Sequence, residues 1–141
     1  MIHIQAELRK GKQGANMTCE TITGSVFEDS TFSVMARFEV DGANAVQADC
    51  SSIAIKAWDM ADFDTAVLSA SLTVANVVFD TLQTDGRWTP DTTGYNFRYD
   101  VADDVCVTSG AKYRFEAVVT TSGGNLPPMA WEVLCVETRS S

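Results

Sequence analysis

The chain has 141 residues and a mass of 15.3 kDa, which is one ordinary domain's worth of sequence. Its 19 acids against 10 bases leave a net charge of −9, which excludes a general nucleic-acid binder and disfavours an anionic membrane surface. The 45% apolar and 21% charged residues suit a folded chain, and no apolar run is long enough to span a bilayer.

Residues 1–24 read as an N-terminal strand or extended arm, with weak strand patterns over Ile2–Leu8 and Met17–Thr23. The basic residues Arg9, Lys10 and Lys12 follow the short apolar start and make this arm a candidate binding face where the acids thin out, and no signal-peptide pattern is present. The expectation is a protein made in the cytoplasm.

Residues 25–141 read as one β-domain. In Thr31–Val40, Phe32, Val34, Ala36, Phe38 and Val40 alternate with Ser33, Met35, Arg37 and Glu39, the pattern of a half-buried strand. Asp41-Gly42 supplies turn chemistry, and a weak strand over Ala45–Ala48 follows. Ser52–Asp59 alternates again, with Trp58 opposite Ile53 and Ile55. Met60–Ala70 is the best helical candidate, at most a single turn. Ser71–Asp80 is β-branched and apolar on both faces, as in a central strand. Tyr95–Val101, Tyr113–Thr120 and Met129–Thr138 close the series, separated by clusters of Gly, Pro, Asp, Asn and Ser. Strands at short intervals with turns between them predict an all-β, antiparallel sandwich of about 7–9 strands.

One segment narrows the fold. In Thr84–Val101, Asp91 stands three residues before Gly94, and Tyr95 and Phe97 then open an alternating strand. A glycine permitting positive φ followed by an inward aromatic suits a chain crossing between sheets. Tyr95 is thereby the candidate for a tyrosine corner, whose hydroxyl bonds back to upstream backbone. Trp88, Tyr95 and Phe97 are expected as core aromatics. The antibody Cys–Trp–Cys signature is not met, because Phe97 stands where the second Cys is sought.

Asp41-Gly42, Ser52–Asp59, Asp91–Phe97, Tyr113–Glu116 and Met129–Val136 follow in an order that resembles the small immunoglobulin-like domains of tailed-phage structural proteins. The N-terminal domains of baseplate upper proteins are one example. The resemblance covers about residues 25–138. It implies an immunoglobulin-like sandwich that acts in a virion as a capsid decoration, neck or tail and baseplate accessory subunit. It also implies other virion proteins as partners, with homo-oligomeric or arrayed copies. No coiled coil or fibre follows the sandwich, which turns the reading toward a stand-alone accessory protein.

Signals for chemistry are sparse. His3 is the single histidine, so a catalytic triad or a zinc site finds little support. No phosphate-binding glycine loop occurs. The expectation is a protein that is not an enzyme and needs no cofactor, with calcium as the alternative. Asp59, Asp62 and Asp64 supply hard oxygen ligands that a curled loop could converge, and Asp100, Asp103 and Asp104 form a second such group. The competing and favoured reading of both groups is a solvated acidic loop. Trp58, on the polar face of its strand, is either covered or a stacking platform. The platform reading makes a carbohydrate-binding module the alternative function. An exported adhesion domain with calcium is a third. Cys19, Cys50, Cys106 and Cys135 are expected reduced, as small hydrophobes, against three possible disulfide connectivities.

Overall fold

The computed structural model describes residues 2–10, 17–19, 21–85, 88 and 92–137. Lys12 and Asp91, singled out above, lie outside the described residues. The strands are β1 (Ile2–Lys10), β2 (Met17–Cys19), β3 (Thr21–Phe27), β4 (Phe32–Val40), β5 (Ala43–Asn44), β6 (Ser52–Asp59) and β7 (Asp62–Leu72). There follow a helical turn α1 (Val74–Val77), β8 (Val78–Gln83), β9 (Tyr95–Val101), β10 (Lys112–Thr121), β11 (Gly124–Asn125) and β12 (Met129–Val136).

They form two sheets packed as a sandwich. The first runs β2-β1-β4-β9-β8, with β5 paired to β4; the second runs β3-β12-β10-β6-β7, with β11 paired to β10. Each holds six strands among the described residues, more than expected, because β2, β5 and β11 are pairings of only two or three residues. Most pairings are antiparallel, but β1 lies parallel to β4 and β3 parallel to β12. The backbone of the N-terminal region therefore enters both sheets. Asp41-Gly42 makes the two-residue β4–β5 turn with both residues at positive φ, 54° and 85°, the conformation that right-twisted hairpins favour.

Period-two alternation builds the interior. Val34, Ala36 and Phe38 from the first sheet meet Ile53, Ile55, Phe115, Ala117, Trp131 and Val133 from the second. Two aromatic pairs bridge the layers. Phe32 meets Phe115 edge-on at 5.7 Å between ring centroids, and Phe97 stacks on Trp131 at 5.8 Å. The Trp131 indole N–H donates to the Met35 carbonyl at 3.1 Å, so this buried ring keeps a polar partner.

Four expectations change. Met60–Ala70 is no helical turn: Met60 and Ala61 make the β6–β7 turn, and the rest falls in β7, which returns beside β6 as a hairpin. Register shifts at Ala57/Trp58 and Trp58/Asp59 erase the regular alternation that identifies strands by sequence. Ser71–Asp80 is not one strand, because the chain crosses between sheets there and turns through α1. Ala45–Ala48 holds no strand; β5 precedes it and a 3₁₀ turn at Gln47–Asp49 overlaps its end. Finally, β4 is not half-buried. Met35 is fully buried and Arg37 is 4% exposed, so both its faces are covered.

The cover comes from the segment after β8. Trp88 packs with Met35 and Tyr95 in a small second core, with Phe79 at its side. The Arg37 guanidinium lies 5.9 Å from the Trp88 ring centre, and its Nη1 donates to the Gly94 carbonyl at 3.0 Å. Gly94 sits at φ +105°, and a Cβ there would collide with the Gln83 carbonyl. Beyond the Ala36–Phe97 pair β9 peels away from β4. The buried Asn96 amide replaces the missing ladder. Its Oδ1 accepts from Phe38 N–H at 2.9 Å, and its Nδ2 donates to the Phe38 and Ala45 carbonyls at 2.9 and 3.1 Å. Tyr95 is thereby turned toward the cover instead of the main core.

Candidate functional site

The outer face of the second sheet carries the sequence-predicted surface residues. Arg114 on β10 is clamped between two carboxylates. Its Nε meets Glu116 at 2.6 Å and its Nη1 meets Glu132 on β12 at 2.7 Å. These bonds hold the guanidinium pKa above its ordinary value. Lys56 stands opposite Glu116 in the ladder. Trp58 stands opposite Arg114, half-buried, with its ring 6.1 Å from that of Phe63. Phe63 is itself 52% exposed and Val67 42%. Phe63, from the Met60–Ala70 stretch, thus covers part of the Trp58 ring near the β6–β7 turn.

Asp59, Asp62 and Asp64 sit in and beside that turn, exposed or half-exposed. Two of them bind their own backbone. Asp59 Oδ1 accepts from Ala61 N–H at 2.9 Å and Asp62 Oδ1 from Asp64 N–H at 3.0 Å. Both are side-chain turns of the kind aspartate favours. In the second group Asp100 accepts from the Ser33 hydroxyl at 2.6 Å and is bidentate to Arg98. Among the described residues no three His, Cys, Asp or Glu side chains come together as a cation site. The Arg9 and Lys10 backbone ends β1 opposite Thr18 and Met17, while their side chains, like all of Lys12, lie outside the described part.

No local pattern in the chain announces a polar recess. A cavity of about 310 Å³ opens at one end of the sandwich. Asp41, Asp49 and Ser51 line it from the β4–β6 connection, and Thr121, Gly124 and Asn125 from the β10–β12 connection. The two lining stretches are far apart in sequence, so only the packing of the sheets brings them together. At the opposite end the 102–111 connection crosses from β9 to β10. There the Tyr113 hydroxyl accepts from Thr108 N–H at 3.1 Å. This is the back-bond expected of Tyr95. The Tyr95 hydroxyl instead bonds the Asp85 carboxylate at 2.8 Å. A signal existed for Tyr113: an aromatic opening a strand directly after a long Asp, Ser and Gly connection.

Among the described residues Cys50, Cys106 and Cys135 are free thiols, and the side chain of Cys19 lies outside the described part. Burial pushes the Cys106 thiol up to about 12 and, with Asp49 beside it, the Cys50 thiol up to about 11. Cys135 moves the same way, through burial and then the nearby acids Glu28 and Asp29. Protonated thiols of this kind are poor nucleophiles and poor metal ligands.

No protein-family model matches the chain, and no curated protein matches it. Among solved structures the chain is similar to the N-terminal domain of phage TP901-1 ORF48. The identity is 10% over 96% of this chain and 99% of that one, with a TM-score of 0.43.

Proposed function

We propose that this chain is a non-enzymatic structural subunit of a phage-like virion, built as an immunoglobulin-like sandwich and working by contact with other virion proteins. The observation that carries the fold part is the corner at Tyr113. In immunoglobulin domains the corner tyrosine stands two residues before the second bridging cysteine. Here Phe115 stands two residues after Tyr113 and meets Phe32 across the sandwich. An aromatic pair occupies the place of the disulfide. The parallel pairing of β3 with the last strand, β12, fits the same arrangement; the parallel pairing of β1 with β4 is a departure from it. The virion part rests on the resemblance of residues 25–138 to the small domains of tailed-phage structural proteins. Acidic loops suit such a subunit, since like charge keeps copies soluble before assembly.

The test is quantitative mass spectrometry of virions purified from the native source. The chain is expected at a fixed ratio to a capsid or tail protein. Its presence in the lysate and absence from washed particles would overturn the proposal.

The pair of half-buried Trp58 and exposed Phe63 favours one second reading, a carbohydrate-binding module. Glycan-array binding that disappears in Trp58→Ala would establish it in place of the structural role.

A further inference from the structure

We propose that two copies of this chain pair antiparallel through the outer edge of β7, about a two-fold axis at Ala70. Among the described residues β7 is hydrogen-bonded on one side only, to β6. The register shifts fall in its first half. Leu68–Leu72 runs in unbroken register with Ala57–Ile53, leaving a straight edge. Such an edge is a template for a further strand unless charge, proline or a bulge blunts it. Leu68–Leu72 has none of these.

The occupant is set by the sequence of that edge. It reads Leu-Ser-Ala-Ser-Leu, the same in both directions. A two-fold contact is self-complementary, with residue i meeting j and j meeting i. Antiparallel pairing about Ala70 puts Leu68 opposite Leu72, Ser69 opposite Ser71, and Ala70 opposite its own copy. The faces agree as well. Leu68, Ala70 and Leu72 pack against the main core, while Ser69 and Ser71 are exposed. The apolar layer therefore continues across the junction, and hydroxyls meet on the outer surface. Charge agrees too. The acids of β7 are Asp62 and Asp64, both outside the paired segment, and residues 65–72 carry no charge. In a chain of net charge −9 this is a stretch where two copies approach without opposing carboxylates. So short a pairing is smaller than a permanent interface, which makes the dimer concentration-dependent.

The pairing requires only the chain itself and stands apart from the virion reading. Sedimentation velocity of the purified full chain over a concentration series tests it. A reversible monomer–dimer equilibrium is expected. Ser69→Lys with Ser71→Lys sets lysines against lysines across the axis and weakens pairing by about tenfold or more. Ser69→Asp with Ser71→Asp does the same, and mixing the two variants restores a dimer. Near-UV circular dichroism checks their folding, and Ser69→Lys alone serves if a double variant unfolds. A wild type that stays monomeric throughout, a dimer indifferent to the lysines, or a mixture that fails to recombine each overturns the proposal. The first outcome would leave the edge to a strand of a different protein.

Discussion

The two sheets treat their outer faces differently. On the first, the segment after β8 folds back, and Trp88, Met35 and Tyr95 close a second core around a buried arginine. On the second, Arg114 is paired on an open face, and the sheet ends at an edge that no described strand covers. Both faces carry an arginine on an alternating strand, Arg37 on β4 and Arg114 on β10. The difference teaches that an arginine in a strand does not by itself mark a wet surface. Arg37 is covered because its guanidinium keeps an aromatic face and a carbonyl as partners. Arg114 needs no cover, because two carboxylates and water serve it.

Four tests can break that comparison. Trp131→Ala removes the ring that joins both layers and the indole bond to Met35, and is expected to cost about 3–5 kcal/mol in urea unfolding. A loss under 1 kcal/mol would mean that the sheets do not share this core. Arg37→Ala strips a buried charge site and should cost about 3 kcal/mol, whereas Arg114→Ala on the open face should cost about 1 kcal/mol or less. Equal losses would erase the distinction between the faces.

The thiols give a pH test of the interior. The unperturbed thiol value is 9.0, and the folded values are about 11 for Cys50 and about 12 for Cys106. A folded value above the unfolded one means that the native state holds its proton more tightly. Stability is then full below pH 9 and falls as pH rises through the folded values. Each thiol contributes about a tenfold loss in the folding constant per pH unit inside its window. Cys106→Ala should flatten the decline measured between pH 9 and 12. An unchanged slope would place that thiol in contact with water. Smallest is Tyr113→Phe, which leaves Thr108 N–H without its partner and should lower stability by about 1 kcal/mol. Native hydrogen exchange should show that amide exposed first.

Much of this was legible in the chain. Ser52–Asp59 and Tyr95–Val101 alternate cleanly and are strands with those bounds. Hydrophobic periodicity reports burial against one layer, and these strands face one layer over most of their length. It fails where a strand is bulged, as β7 is, because the period is interrupted. It also fails where a second layer forms over the first. Nothing in Ser33, Met35 and Arg37 reveals that a segment fifty residues later will cover them. Gly94 draws the expected corner to Tyr95. Gly94 does hold positive φ, but what it permits is the close approach to Gln83 and the bond from Arg37. The polar recess between Asp41 and Asn125 is a property of packed sheets, so no local pattern announces it.

The central claim is that one outer face is covered and the other open, and the chain's three tryptophans sample the relevant places. Trp131 lies in the shared core, Trp88 under the cover, and Trp58 on the open face. Acrylamide quenching of three variants, each keeping one tryptophan and carrying phenylalanine at the other two, reads them separately. Trp88 is expected to be shielded nearly as well as Trp131, and Trp58 to be quenched several-fold faster. Trp88 quenching as readily as Trp58 would contradict it.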